Sequence, residues 1–148
     1  MLTDRYELST EKSLLAFKFI SKGPKGQITK LIRYSETNFE NTYNLGFGDY
    51  DAETDDIDDT VITNNGDSQK VLKTVAATVY AFTHHYPNAK VFATGSTLAR
   101  TRLYRIGIST NLTEISKDFT VLGLKDNGWH KFKSGEEYDA FMVERKKS

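Results

Sequence analysis

The chain has 148 residues and a mass of 16.8 kDa, with 38% hydrophobic, 12% aromatic and 27% charged residues, a globular balance that excludes a disordered or fibrous polymer. Twenty Lys and Arg meet twenty Asp and Glu, so neither a uniformly basic nucleic-acid coat nor an acidic tail is present, and charge can act only through local segregation. The lack of Cys excludes disulfides, a Cys nucleophile and thiolate metal sites, and no apolar run approaches the ~20 residues that span a bilayer, so the expectation is a cytoplasmic protein with no membrane partner.

In chain order, Leu15, Phe17 and Phe19 share one face at period two and predict a first strand. The turn Gly23-Pro24-Lys25-Gly26 and the alternation of Ile28, Ile32 and Tyr34 complete a hairpin. Thr42 to Tyr50 predicts a strand with Tyr43, Leu45 and Phe47 on one face, while Gly46 and Gly48 leave the other face bare for something to approach closely. Thr60 to Asn64 reads as a short strand. From Ser68 to about His85 apolar residues recur at helical spacing, with Asp67 or Ser68 as N-cap and Pro87 just past the end.

Lys90 to Thr94 predicts a buried strand, and Gly95-Ser96-Thr97 opens a second helix that Gly107 is expected to stop. Asn111 with Glu114 fits a capping box for a third, short helix carrying Leu112, Ile115 and Phe119. Val121 to Leu124, the turn Asp126-Asn127-Gly128, Trp129 to Lys133 and Tyr138 to Arg145 predict the closing strands. The order predicts an α+β fold in one domain over residues 1–148: a mixed or antiparallel twisted sheet of about six to seven strands against one long and two shorter helices.

Three constellations bear on chemistry. Asp49 to Asp59 places seven carboxylates in eleven residues, but Thr54 and Thr60 stand where a calcium loop needs Gly and Glu. A solvated loop, or one that meets a basic protein partner, is expected there, with no metal. His84 and His85 point about 100° apart on the helix and suit its carboxyl end as cations, which leaves His130 as the isolated acid–base candidate, with Tyr104 as a second candidate catalytic residue. Gly95, Ser96 and Thr97 open a helix that carries Arg100 and Arg102, an arrangement of free N–H groups, positive dipole end and guanidinium that suits phosphate. Arg102 and Arg105 lie about 60° apart on that helix, with Arg100 on the opposite flank beside Tyr104. Helix capping by Ser96 or Thr97 and ordinary surface ion pairs are the competing account.

The stretches Phe17 to Gly26, Asn44 to Asp49, Thr63 to Ser68 and Ala93 to Arg105 resemble an uncharacterised family of about 150-residue bacterial proteins, mainly from Bacteroidetes. That resemblance implies no established activity. The order of strands and helices, with Ala99, Leu103-Tyr104 and Gly107-Ile108, is also similar to the later part of the Gcn5-related acetyltransferase fold, with the spacing altered by one residue on each side of Leu103-Tyr104. Asn64 to Ser68 offers one glycine to a pyrophosphate and puts Asp67 where the phosphate would sit. The residues therefore predict a small protein directed at RNA or nucleotide phosphate, such as the toxin-like half of a two-gene module. The alternatives are a non-enzymatic interaction domain and acetyl transfer, and no motif calls for a bound cofactor.

Overall fold

The computed structural model describes residues 4–58, 63–95 and 97–147. Its strands are β1 (Ser9–Thr10), β2 (Ala16–Gly23), β3 (Gly26–Glu36), β4 (Thr42–Asp51), β5 (Asp56–Ile57), β6 (Lys90–Ala93), β7 (Phe119–Lys125), β8 (Gly128–Lys131) and β9 (Ala140–Arg145). Three helices, α1 (Ser68–His85), α2 (Leu98–Thr110) and α3 (Leu112–Asp118), are interleaved with them. The strands form one sheet in the order β1-β2-β3-β4-β6-β9-β7-β8, with β5 paired to β4. Nine strands exceed the expected number because β1 and β5 are two residues each, too short to show a period-two pattern. The expected strand from Thr60 lies over residues 60–62 outside the described set, and Thr63 and Asn64 are not in a strand.

The Gly-Pro-Lys-Gly turn closes the β2–β3 hairpin with Gly23 opposite Gly26, as its residues predict. Asp126 and Asn127, with φ of 52° and 61°, make the tight turn between β7 and β8. The apolar face of α1 lies on the sheet. Phe82 is fully buried and its ring stacks on Tyr34 with centroids 4.1 Å apart, while the Tyr34 hydroxyl bonds Thr78 at 2.8 Å. Thr74, Thr78 and Thr83 are buried on the same helix without penalty, because each hydroxyl bonds a carbonyl one turn back.

Two local expectations are corrected. Gly107 does not stop α2: the helix runs on to Thr110, and Gly107 is buried where a Cβ would lie 2.9 Å from Leu72 Cδ2 of α1. It is a contact residue between helices, which helical propensity cannot distinguish from a terminator. Asn111 and Glu114 form no capping box. Asn111 is the positional N-cap of α3, but its buried side chain donates back to Gly107 O at 2.9 Å, and Phe119 opens β7 in place of closing the helix.

All strand pairs are antiparallel except β4 with β6, which run parallel only from Thr42 to Asn44 against Lys90 to Phe92. β6 ends at Ala93 while β4 continues to Asp51, so from Leu45 to Gly48 β4 has no strand partner on that side among the described residues. On the face away from the helices Ile57 folds onto the bare glycines: a Cβ at Gly48 would lie 2.6 Å from Ile57 Cγ2. This is the close approach that two glycines in a strand imply.

Candidate functional site

Where β4 runs beyond β6, the amino ends of α1 and α2 converge over the sheet and leave a cleft of about 290 Å³. Its floor is Lys30 of β3 and Phe47 of β4. Thr63, Asn64, Asp67, Ser68 and Val71 form one wall, and Ala99, Arg100 and Leu103 form the other.

The floor carries a buried ion pair. Register places Lys30 opposite Asp49, and the two side chains meet directly, with Lys30 only 1% exposed. Lys30 Nζ also donates to Thr63 O at 2.7 Å, and Asp49 accepts from the Thr63 amide at 3.2 Å and its hydroxyl at 2.5 Å. A buried ammonium is tolerable only when paired and hydrogen-bonded in this way. Sequence reasoning passed over Lys30, although a lysine between Ile28 and Ile32 on the core-facing side of a strand is a usable signal.

The wall segment before α1 is pinned from behind. Asp67 Oδ2 accepts from the hydroxyls of Tyr6 and Ser21, each at 2.6 Å, so the carboxylate is engaged toward β2 and makes no cap bond to α1. Burial, followed by the hydrogen bond to Asp67, raises the Tyr6 phenol above its ordinary range. Asn65 holds the β2–β3 turn, accepting from the Lys25 amide at 2.7 Å and donating to Gly26 O at 2.9 Å. Tyr6 itself packs on Phe19.

Of the residues singled out for anion binding, Gly95 donates its amide to Thr101 Oγ1 at 3.1 Å, and Thr97 Oγ1 accepts from the Arg100 amide at 3.2 Å, the N-cap arrangement. Gly95 is required there because a Cβ would lie 2.4 Å from the Thr101 amide. Ser96 lies outside the described residues. The two arginines are separated: Arg100 lines the cleft, whereas Arg102 faces a groove of about 150 Å³ with Arg105, Glu137 and Asp139.

Tyr104 is buried beside the cleft. Burial, opposed by the Arg100 charge, pushes the phenol up to about 12. His130 is exposed on β8 at the far edge of the sheet, so the two catalytic candidates are not brought together.

In the acidic loop Asp55 and Asp56 turn toward the protein's own bases. Asp55 accepts from the Tyr50 hydroxyl at 2.7 Å and pairs with Lys18 at 3.7 Å, and Asp56 pairs with Arg33 at 3.2 Å. The Tyr50 hydrogen bond, then Lys18, holds the Asp55 carboxyl below its ordinary range. Among the described residues no group of three or more Asp, Glu or His side chains is set to hold a metal ion.

A family model described as a family of unknown function, DUF6934, matches residues 2–146. The chain belongs to that family. No curated protein and no solved structure matches it. The family match spans nearly the whole chain, so the cleft and both helix starts lie within it. Among the described residues no helix is long and apolar enough to cross a membrane.

Proposed function

We propose that the cleft between β4, α1 and α2 binds a small phosphate-bearing ligand of nucleotide size. The observation that carries this reading is the convergence of the two helix amino ends and Arg100 on one cleft, over a floor set by the Lys30–Asp49 pair. Helix amino ends offer unpaired N–H groups to an anion, and guanidinium adds bidentate geometry. Phe47, Val71 and Leu103 supply an apolar surface for the rest of the ligand. A volume of about 290 Å³ is at the small end of ligand pockets, enough for one nucleotide and too small for a folded RNA. Arg100 is therefore the cationic arm, and Arg102 is not part of this site.

A second reading, acyl transfer from a nucleotide-linked thioester, is favoured by one further observation. The single parallel pair among the described strands, β4–β6, parts where Tyr104, of the Leu-Tyr pair that carries the acetyltransferase resemblance, packs beside Leu45 and Ala93.

The test is a titration with ATP, coenzyme A and acetyl-coenzyme A, following the backbone amides of Ser68 to Lys70 and Thr97 to Arg102 by NMR. Saturable shifts in both sets are expected. Arg100→Lys should weaken binding by about tenfold, the worth of one charge-assisted hydrogen bond. Amides unmoved by all three ligands at millimolar concentration would refute the nucleotide reading. ATP and coenzyme A binding without thioester turnover would refute the second.

A further inference from the structure

We propose that the face of β2 and β3 turned away from the helices binds single-stranded nucleic acid, and that the acidic hairpin of Asp51 to Asp56 occupies it as an internal competitor. Charge is strongly segregated along the chain. Between positions 37 and 67 there are nine carboxylates and no Lys or Arg, which leaves eleven acids against twenty bases in the remainder. The neutral total therefore conceals a basic body and one acidic segment.

The acidic segment lies on that body as an anion would. Arg33 donates to Asp56 Oδ1 at 3.2 Å and to Asp55 O at 3.0 Å, and Lys18 pairs with Asp55 while its ammonium sits 4.0 Å from the Tyr50 ring centroid. These contacts occupy one end of a groove that continues past the hairpin. Lys18 and Ser9 line both the 280 Å³ depression beneath Asp55 and a further 600 Å³ hollow that includes Arg5, Lys22 and Lys70. On that face the groove presents Lys18, Lys22 and Arg33, with Arg5 lining the hollow and Lys70 of α1 over the Tyr6 ring on its helix side, and with Glu7, Glu11 and Asp55 as its acids.

The shape favours an extended polyanion over a flat membrane. Lys18 and Lys22 project from the same face of β2, four residues and so about 13 Å apart, a spacing that spans two phosphate steps of a stretched single strand. Ile20 stands between them, 44% exposed, where an unstacked base would rest. The hairpin is displaceable because exposed ion pairs are weak, and Asp55 is 76% exposed at its side chain.

Anisotropy with a labelled 12-nucleotide oligouridine, in the full chain at low and at physiological salt, tests this. The double variant Asp55→Asn/Asp56→Asn should bind about tenfold more tightly than the parent, with affinity falling as salt rises. Adding Lys18→Gln and Lys22→Gln should remove at least that gain, while nucleotide binding in the cleft is unchanged. In the parent chain the oligonucleotide should shift the amides of Ile20 and Lys22, a readout that needs no variant to fold. No tightening in the double variant, binding indifferent to Lys18 and Lys22, or still amides in the parent would each overturn the proposal. So would capture of phosphatidylserine vesicles without binding of the oligonucleotide.

Discussion

Lys30 and Asp49, opposed in register on β3 and β4, form an ion pair in the floor of the cleft with Lys30 almost wholly buried. Breaking such a pair by removing one member strands the other charge, at a cost of about 3–5 kcal/mol, against a total stability of ~5–15 kcal/mol. Lys30→Met should therefore lower the urea midpoint sharply. The double variant Lys30→Met/Asp49→Leu should recover much of the loss, because no charge is then left alone. A double variant no better than the sum of its singles would show that the two residues are uncoupled.

Gly123 and Gly107 should respond differently to the same methyl group. At Gly123 a Cβ would lie 2.3 Å from Tyr138 Cδ1, and the ring cannot retreat without losing the bond that its hydroxyl accepts from the Lys133 amide at 2.9 Å. Gly123→Ala should cost ~1–3 kcal/mol by overpacking. At Gly107 the methyl group meets only the flexible end of Leu72, and alanine gains about 0.8–1.0 kcal/mol of helix propensity, so Gly107→Ala should come out near zero. Thermal melts of the two variants check the order, which would be reversed if Leu72 could not yield.

Stability should decline on the alkaline side through buried phenols. Burial is the largest cause that pushes Tyr80 and Tyr104 up to about 12, with Asp118 adding to it at Tyr80, and Tyr34 is raised further still by burial. A raised folded value means that the neutral phenol is preferred in the fold, so this stabilisation is complete below the unfolded value near 10 and is lost as pH climbs toward 12. Urea midpoints should fall between pH 10 and 12, and tyrosinate absorbance should appear in step with unfolding. Full tyrosinate absorbance at pH 10.5 in the folded chain would contradict this burial.

Arg100 and Arg102 should separate in any ligand titration. They are two residues apart on α2 but face different hollows, Arg100 with Lys30 and Ser68, and Arg102 with Glu137 and Asp139. Arg102→Lys should leave nucleotide affinity within twofold, while Arg100→Lys loses about tenfold. Equal losses would place the anion along the helix surface, outside the cleft.

The period-two runs around Phe17 and Phe47, the helix from Ser68 to His85 and the Gly-Pro-Lys-Gly and Asp-Asn-Gly turns were legible in the residues, because local propensity and side-chain alternation act within a few positions. The divergence of Arg100 from Arg102 was legible for the same reason, since helical geometry alone sets it. What Gly107 does was not, because a terminator and a helix contact call for the same residue, and only the position of Leu72 distinguishes them. Nor could the sequence show that Lys30 meets Asp49, that Asp67 turns to Tyr6 and Ser21, or that Asp55 and Asp56 clasp Lys18 and Arg33. Those partners lie from 19 to 61 positions apart, and which charge answers which is decided by strand register and by the parting of β4 from β6. Composition determined that the charges balance; the tertiary structure decided where each is neutralised, because an ion buried without a partner is too costly to leave and a fold survives only where the long-range pairing supplies one.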